Sequence, residues 1–105
     1  MRAIGKPGAQ VVVVGNRLDV GTVAGLRPRL HDAVDEGKGD LIVDLSELEM
    51  IDATGLGVLV GTHRRAMGAG RRLVLRGVPP RVMRVLAVTR LNRVLIVEVP
   101  MAAVA

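Results

Sequence analysis

One short segment carries most of the side chains that could do chemistry: residues 52–57 read Asp-Ala-Thr-Gly-Leu-Gly. Asp52 stands just before a glycine-rich helical stretch, where its carboxylate can accept the free backbone amides of the first turn. The hydroxyl of Thr54 falls in the same turn, where a phosphate would meet amides and the positive end of the helix dipole. The glycines lack the Lys-Ser/Thr ending of a P-loop and the early strand position of a dinucleotide site, so both motifs are rejected.

The remaining reactive residues do not form a catalytic or metal-binding set. Thr22 and Ser46 precede predicted helices, as Thr54 opens one, but none has an evident base beside it. His31 and His63 lie on different predicted helices, and the sequence has no cysteine to complete a metal site. We therefore predict no catalytic residue, no metal and no cofactor, and a protein that is not an enzyme.

Composition narrows the class of protein further. The 105 residues suit one domain, which we predict to span residues 1–105, and the absence of Phe, Tyr and Trp requires an aliphatic core. No cysteine and no long apolar stretch together predict a cytoplasmic protein without a membrane span. The net charge of +5 comes from arginines spread along the chain, which favours a solvated basic surface. An acidic protein partner is the alternative, and direct nucleic-acid binding is not expected.

These residues must be positioned by a regular alternation of elements. Four strands are predicted from short apolar runs, at Val11–Val14, Leu41–Leu45, Leu73–Leu75 and Val94–Val99, with a short edge strand before Val11. Apolar residues at helical spacing predict helices over Thr22–Glu36, over Gly55–Ala69 and from Pro79-Pro80 onward. The alternation predicts an α/β fold, a roughly four-stranded, mostly parallel or mixed sheet packed against three to four helices.

Proline and glycine refine the predicted helices. Pro28 interrupts the first, so we expect a kink or a helix that begins near it. Gly70 is expected to cap the second helix at its C-terminus. The third helix should pack through one face, formed by Val82, Val85, Leu86 and Thr89. Gly57 and Gly61 are costly inside a helix, so either the protein's own sheet or a partner is expected to approach them closely.

Two further aspartates follow predicted strands. Asp19 comes after the first strand, and loops at the ends of parallel strands share one edge of the sheet with the start of the second helix. We expect Asp19 near Asp52, either as an acidic pair for a basic partner surface or as a helix cap. Asp44 ends a strand and is expected to hold loop amides.

The segment around Asp52 resembles the signature of the STAS family, named for sulfate transporters and anti-sigma factor antagonists. The resemblance covers nearly the whole chain, and its most specific part is Asp-Ala-Thr-Gly-Leu-Gly. The residues that carry it are Leu45-Ser46, Ile51–Val60, Asn16–Asp19, Gly70–Leu75 and Val85–Leu91.

The resemblance implies a single STAS domain that works as a protein-binding switch. Free-standing members bind an anti-sigma factor that is also a serine kinase of the histidine-kinase-like ATPase fold, and so release a sigma factor. The kinase phosphorylates the antagonist, and a metal-dependent serine/threonine phosphatase reverses this. The implied partner-binding residues here are Asp19, Asp52, Ala53, Thr54, Gly55, Leu56 and Gly57. A sensor of a small ligand or nucleotide, and a scaffold subunit of a regulatory assembly, are the alternatives.

The chain departs from the family at the phosphorylated position. The family's accepting serine corresponds to Ala53, which has no hydroxyl. Thr54, one residue later, either accepts the phosphate instead or is only a helix-terminus hydroxyl. Without an acceptor, the protein would be an antagonist that is always active or one controlled by its abundance.

Overall fold

The computed structural model describes residues 9–99, in which short strands alternate with helices. The strands are β1 Gln10–Val13, β2 Arg17–Leu18, β3 Leu41–Asp44, β4 Met50–Ile51, β5 Leu73–Arg76 and β6 Ile96–Val97. The helices are α1 Val23–Glu36, α2 Ala53–Gly68 and α3 Pro80–Val88, and a 3₁₀ helix at Leu91–Arg93 follows α3. The predicted α/β class is therefore confirmed.

Four strands form the main sheet, in the order β1-β3-β5-β6, and every neighbouring pair is parallel. A separate parallel pair joins β2 to β4, with Leu18 opposite Ile51. Parallel strands all end at the same edge of a sheet, so the loops that follow β1, β3 and β5 are brought together there. This carboxyl edge also receives the start of α2.

The core is aliphatic, as the composition requires. Fully buried side chains come from both the sheet and the three helices, among them Leu30, Leu41, Val43, Leu59, Leu73, Leu75 and Leu86. Each such side chain contributes on the order of 1.5–3 kcal/mol through the hydrophobic effect. The apolar stripes predicted for the helices are therefore what holds them on the sheet.

A kink at Pro28, or a start near it, was expected for the first helix, and the second of these is not observed. α1 begins at Val23, five residues before Pro28, so the expectation of a start near the proline is wrong. The start is fixed instead by the preceding turn, because the amides of Thr22 and Val23 both donate to the carbonyl of Asp19, at 2.9 and 3.0 Å. Pro28 is exposed in the interior of the helix.

The ends of the other two helices largely follow the prediction. Gly70, at φ +72°, closes α2: its amide donates to Met67, and the next amide, of Arg71, donates back to Ala66. This hydrogen-bond pattern is the Schellman motif, which confirms the expected glycine cap. α3 begins at Pro80 and buries Val82 and Leu86.

Thr89 is a correction to the predicted apolar face of α3. Its side chain is exposed at the end of the helix, and its hydroxyl donates to the carbonyl of Val85 at 2.8 Å. The buried stripe of α3 therefore stops at Leu86.

The last predicted strand is shorter than expected. The chain makes a 3₁₀ turn at Leu91–Arg93, in which the amide of Val94 still bonds Leu91, so the strand is reduced to Ile96–Val97. β2 and β4 were not predicted, because two residues are too few to show an alternating pattern. The edge strand expected before Val11 lies largely outside the described residues.

Arg71 is a buried arginine that joins α1 to the sheet. Its guanidinium donates five hydrogen bonds, to the carbonyls of Ala33, Val34, Lys38 and Gly39 and to the side chain of Gln10. The carbonyls at a helix end lack partners inside the helix, and a positive charge there also favours the negative end of the dipole. Only 6% of Arg71 is exposed, so this residue serves the fold rather than the surface.

Candidate functional site

Asp52 connects the start of α2 to the loop that follows β2. Its backbone is extended, as an N-cap residue requires, and one carboxylate oxygen accepts from the amide of Gly55 at 2.8 Å. The other oxygen accepts from the amide of Val20 at 3.0 Å. The predicted cap is therefore confirmed, and the same carboxylate fixes the position of a loop that is distant in sequence.

Gly55 lets the helix start against β2. A Cβ atom built at Gly55 would lie 2.0 Å from the carbonyl oxygen of Leu18, which is backbone and cannot turn aside. The amide of Asp52 donates to the same carbonyl at 3.3 Å. The close approach of α2 to β2 thus requires glycine at this position.

Asp19 is held inside its own loop. Its carboxylate accepts from the Arg17 guanidinium at 2.6 and 2.9 Å and from the amide of Gly21 at 3.0 Å. The Arg17 hydrogen bonds hold the pKa of the Asp19 carboxyl below its usual value. Asp19 is 4% exposed, and its backbone amide donates to the hydroxyl of Thr22 at 3.0 Å. Asp19 thus builds the turn from which α1 starts, and direct contact with a partner stays a prediction.

The exposed side of the site is formed by small residues. Ala53, Thr54, Gly57 and Gly61 are exposed along one side of α2, with Val20 of the bonded loop, 72% exposed, beside the helix start. We call these five residues the α2 surface. Apart from chain neighbours and the backbone of α2 itself, no described atom lies within 4 Å of a Cβ added at Gly57 or Gly61. The expectation that these glycines pack on the protein's own sheet is therefore wrong.

The predicted site residues thus divide into two groups. Ala53, Thr54 and Gly57 lie on the α2 surface, whereas Gly55 and Leu56 are buried and position it. Sequence reasoning missed Val20, whose signal was slight: one apolar residue in a loop between two charged or polar stretches. Val20 is held in place by its backbone amide, which donates to Asp52, and a valine side chain gives no indication of such a bond.

Thr54 is free of the helix cap. Asp52 already occupies the capping position, and within residues 9–99 the Thr54 hydroxyl makes no hydrogen bond. Both interpretations of Thr54, a phosphate acceptor or only a helix-terminus hydroxyl, stay predictions. Thr54 is exposed, next to the exposed Ala53.

The other candidates occupy structural positions. Asp44 accepts from the amide of Ser46 at 2.8 Å, as predicted, and bonding to Ser46 lowers the pKa of the Asp44 carboxyl. Within residues 9–99, no three His, Asp or Glu side chains are grouped as a metal ion would need. No helix in that part of the chain is long and apolar enough to cross a membrane.

Comparison with known proteins places this architecture in a family. A family model described as "Mlab, STAS domain" matches residues 2–98. The anti-sigma-B factor antagonist of Staphylococcus aureus is 36% identical over 81 residues, which span 77% of this chain and 75% of that protein. An RsbS variant from Moorella thermoacetica is 28% identical, with a TM-score of 0.70 over 94% of this chain and 86% of its own.

A further solved structure shows the same fold at lower identity. An anti-sigma factor antagonist from Mycobacterium paratuberculosis is 24% identical, with a TM-score of 0.76 over 93% of this chain and 83% of its own. The parallel sheet and the aspartate-capped start of α2 thus define a regulatory domain of the STAS type. The chain belongs to the STAS domain family, among the anti-sigma factor antagonists.

Proposed function

We propose that this protein binds an anti-sigma factor of the histidine-kinase-like ATPase fold and so frees a sigma factor. It acts in the cytoplasm as a binding protein and not as an enzyme, and it regulates transcription without touching nucleic acid. The similarity to the anti-sigma-B factor antagonist of Staphylococcus aureus supports this role. The observation that carries the proposal is the exposed pair of glycines on α2.

The two glycines make α2 less stable without serving the fold. Each interior helical glycine costs about 0.8–1 kcal/mol relative to alanine, so Gly57 and Gly61 together cost on the order of 2 kcal/mol. Both are exposed, and no described atom would obstruct an alanine at either position. Their use is therefore external: a partner backbone can approach the helix more closely than any side chain would allow.

Two exposed apolar side chains lie near the start of α2. Val20 is 72% exposed and Met50, on β4 just before the Asp52 cap, is 48% exposed. The Asp52 carboxylate holds the Val20 amide, so the valine is presented in one position rather than on a loose loop. A fixed apolar residue next to a flat helix face has the character of an interface centre.

Phosphorylation at the start of α2 would act on this surface directly. A phosphate adds about −1.5 to −2 charges, and each like-charge pair about 5 Å apart at a dielectric of 20 costs roughly 3 kcal/mol. One such clash with a partner weakens binding about a hundredfold. Ala53 cannot take the phosphate, so control depends either on Thr54 and a metal-dependent phosphatase or on protein abundance.

Calorimetric titration against the purified histidine-kinase-like anti-sigma factors of the same genome tests the proposal. We expect one of them to bind, and Gly57→Leu to abolish binding because the side chain separates the two backbones. Gly68→Leu is the matched control, since Gly68 is equally unobstructed but lies 11 residues along the helix, about 16 Å away. Binding by none of the kinases, or equal binding by both variants, would remove the basis of the proposal.

The phosphate acceptor is tested with the kinase found in that titration. Ala53→Ser should become a kinase substrate, because it restores the family's acceptor at an exposed position. Transfer to the unaltered chain that disappears in Thr54→Val would identify Thr54 as the natural acceptor. Absence of transfer to Ala53→Ser by a kinase that binds it would count against this site.

A further inference from the structure

Acidic side chains are absent from one long part of the sequence. Between Asp52 and Glu98 there is no Asp or Glu at all, and every basic side chain in that stretch except His63 is an arginine. These arginines are Arg64, Arg65, Arg71, Arg72, Arg76, Arg81, Arg84, Arg90 and Arg93. The stretch must therefore find its counter-charges elsewhere in the chain or outside it.

The fold uses four of these arginines. They are Arg65, paired with Asp35; Arg72, paired with Asp40; Arg76, paired with Glu98; and Arg71, bonded to the end of α1. The other five have no carboxylate partner among residues 9–99, and four of the five lie on α3 or around the 3₁₀ helix: Arg81, Arg84, Arg90 and Arg93. Of these, Arg81 bonds a backbone carbonyl, that of Glu49, at 3.2 Å.

Arg90 has a backbone conformation that is usual for glycine. It follows the end of α3 at φ +63°, in the left-handed region, and it is the one described residue other than glycine with a positive φ. The equivalent position after α2 is Gly70, at φ +72°. Glycine is the usual residue there because it has no Cβ to crowd the carbonyl. The turn therefore gives no reason for an exposed arginine at this position.

Apolar groups lie between these charges. Val88 is 80% exposed on α3 and Val94 is 45% exposed just after the 3₁₀ helix. Arg84, Val85, Val88 and Thr89 line a shallow depression of about 230 Å³. Affinity for nucleic acid comes mainly from contacts between basic side chains and phosphates, which would leave the two valines without a role. Two valines without an aromatic residue also give a bilayer little apolar area to bind. The mixture fits a protein segment with carboxylates around an apolar side chain.

This region is separate from most of the α2 surface. The strands of the sheet are parallel, so α3 starts at their carboxyl edge after β5 and returns to the opposite edge before β6. Its nine residues span about 13 Å. Arg90 and Arg93 therefore lie at the edge of the sheet opposite the start of α2, where Thr54 is located.

We propose that α3 and the 3₁₀ helix form a second docking surface, for an acidic segment of a protein partner. Its carboxylates bind Arg84, Arg90 and Arg93, and its apolar side chains cover Val88. The surface does not depend on binding at α2, and both can be occupied at once.

The test uses a fluorescent helical peptide with glutamates flanking a row of leucines, titrated into the full chain and followed by anisotropy. We expect binding that shifts the amide resonances of residues 81–94 and weakens with added salt. Arg90→Gly should weaken it about fivefold, the ratio expected for one exposed ion pair, while leaving the protein at least as stable. Arg64→Gln, which removes an exposed arginine from α2, should leave peptide affinity unchanged.

Several results would overturn this assignment. A glutamate peptide without leucines that binds equally well would show general charge attraction only. Equal losses in Arg90→Gly and Arg64→Gln would have the same meaning. Tighter binding of duplex DNA or of anionic vesicles, with the same dependence on Arg90, would assign the surface to another class of partner.

Discussion

Gly55 and Gly57 are two residues apart on the same helix, yet the space around them is opposite in kind. A Cβ at Gly55 would meet the Leu18 carbonyl oxygen at 2.0 Å, whereas a Cβ at Gly57 would meet no described atom outside α2 within 4 Å. The first glycine is required by the protein's own packing. The second lowers helix stability with no internal reason, so its use is to be sought in what binds the helix.

Arg71 and Arg90 form a second pair of this kind. The guanidinium of Arg71 is buried and makes five hydrogen bonds to its own chain. Arg90 is exposed and occupies a left-handed turn that glycine would fill at lower cost. Substitutions should separate the two classes, because a change at an internally required residue lowers stability and a change at the other kind lowers binding.

Gly55→Ala should have the largest effect on stability. The new Cβ cannot be accommodated without moving α2 away from β2, which we expect to cost about 3 kcal/mol or more. Urea unfolding followed by circular dichroism measures the difference, with Gly57→Ala as the matched control on the same helix. A loss below about 1 kcal/mol at Gly55 would mean that α2 and β2 can separate freely.

Arg71→Leu should be the next most destabilising change. It removes all five donors while retaining an apolar side chain, and it leaves the carbonyls of Ala33 and Val34 without these partners, at a cost of about 2 kcal/mol. Arg64→Leu, at an exposed position on α2, is the control and should change stability by no more than about 0.5 kcal/mol. Similar losses in the two variants would show that Arg71 contributes only its packed carbon chain.

The same contrast explains what could be predicted from sequence. Long apolar periodicities predicted the three helices and the main strands, because burial of a repeated pattern determines these elements. The cap at Asp52 and the glycine at Gly70 were predicted because they depend on neighbours within four residues. The partners of Arg71 lie up to 61 residues away, at Gln10, and only the folded chain brings them together.

At the candidate site the prediction was limited in a similar way. The sequence identified Asp52 and the glycines but not which of the glycines faced inward. α2 carries glycines on both sides, so residue type alone gave no orientation, and the Leu18 carbonyl that selects Gly55 belongs to a strand of two residues. Val20 is positioned at the site by a hydrogen bond from its backbone amide. Every residue except proline has such an amide, so the residue type could not predict it.

Gly57→Ala should change stability and binding in opposite directions. Alanine is the better helix former, so the free energy of unfolding should rise by about 0.8–1 kcal/mol. The added methyl lies on the α2 surface, so affinity for the anti-sigma factor should fall. Gly68→Ala, at the far end of the same helix, should leave affinity unchanged. If Gly57→Ala is more stable but binds with unaltered affinity, contact with a partner does not explain the exposed glycine.

The smallest expected effect concerns Asp19, whose side-chain hydrogen bonds all lie within its own loop although it borders the site. Its pKa is lowered in the folded protein by the Arg17 hydrogen bonds, so the folded state binds fewer protons than the unfolded state near the usual carboxyl value. This contribution is complete above about pH 4 and is lost as the pH falls through the lower, folded-state pKa. Melting temperatures measured from neutral to acidic pH should therefore decline more gently for Asp19→Asn than for the unaltered chain.

Arg17→Gln should reproduce that gentler decline, since it removes the same pairing from the other side. A decline as steep as the unaltered chain's in both variants would assign the acid sensitivity to Asp35, Asp44 and Glu98, whose pKa values are also lowered by their hydrogen-bond partners.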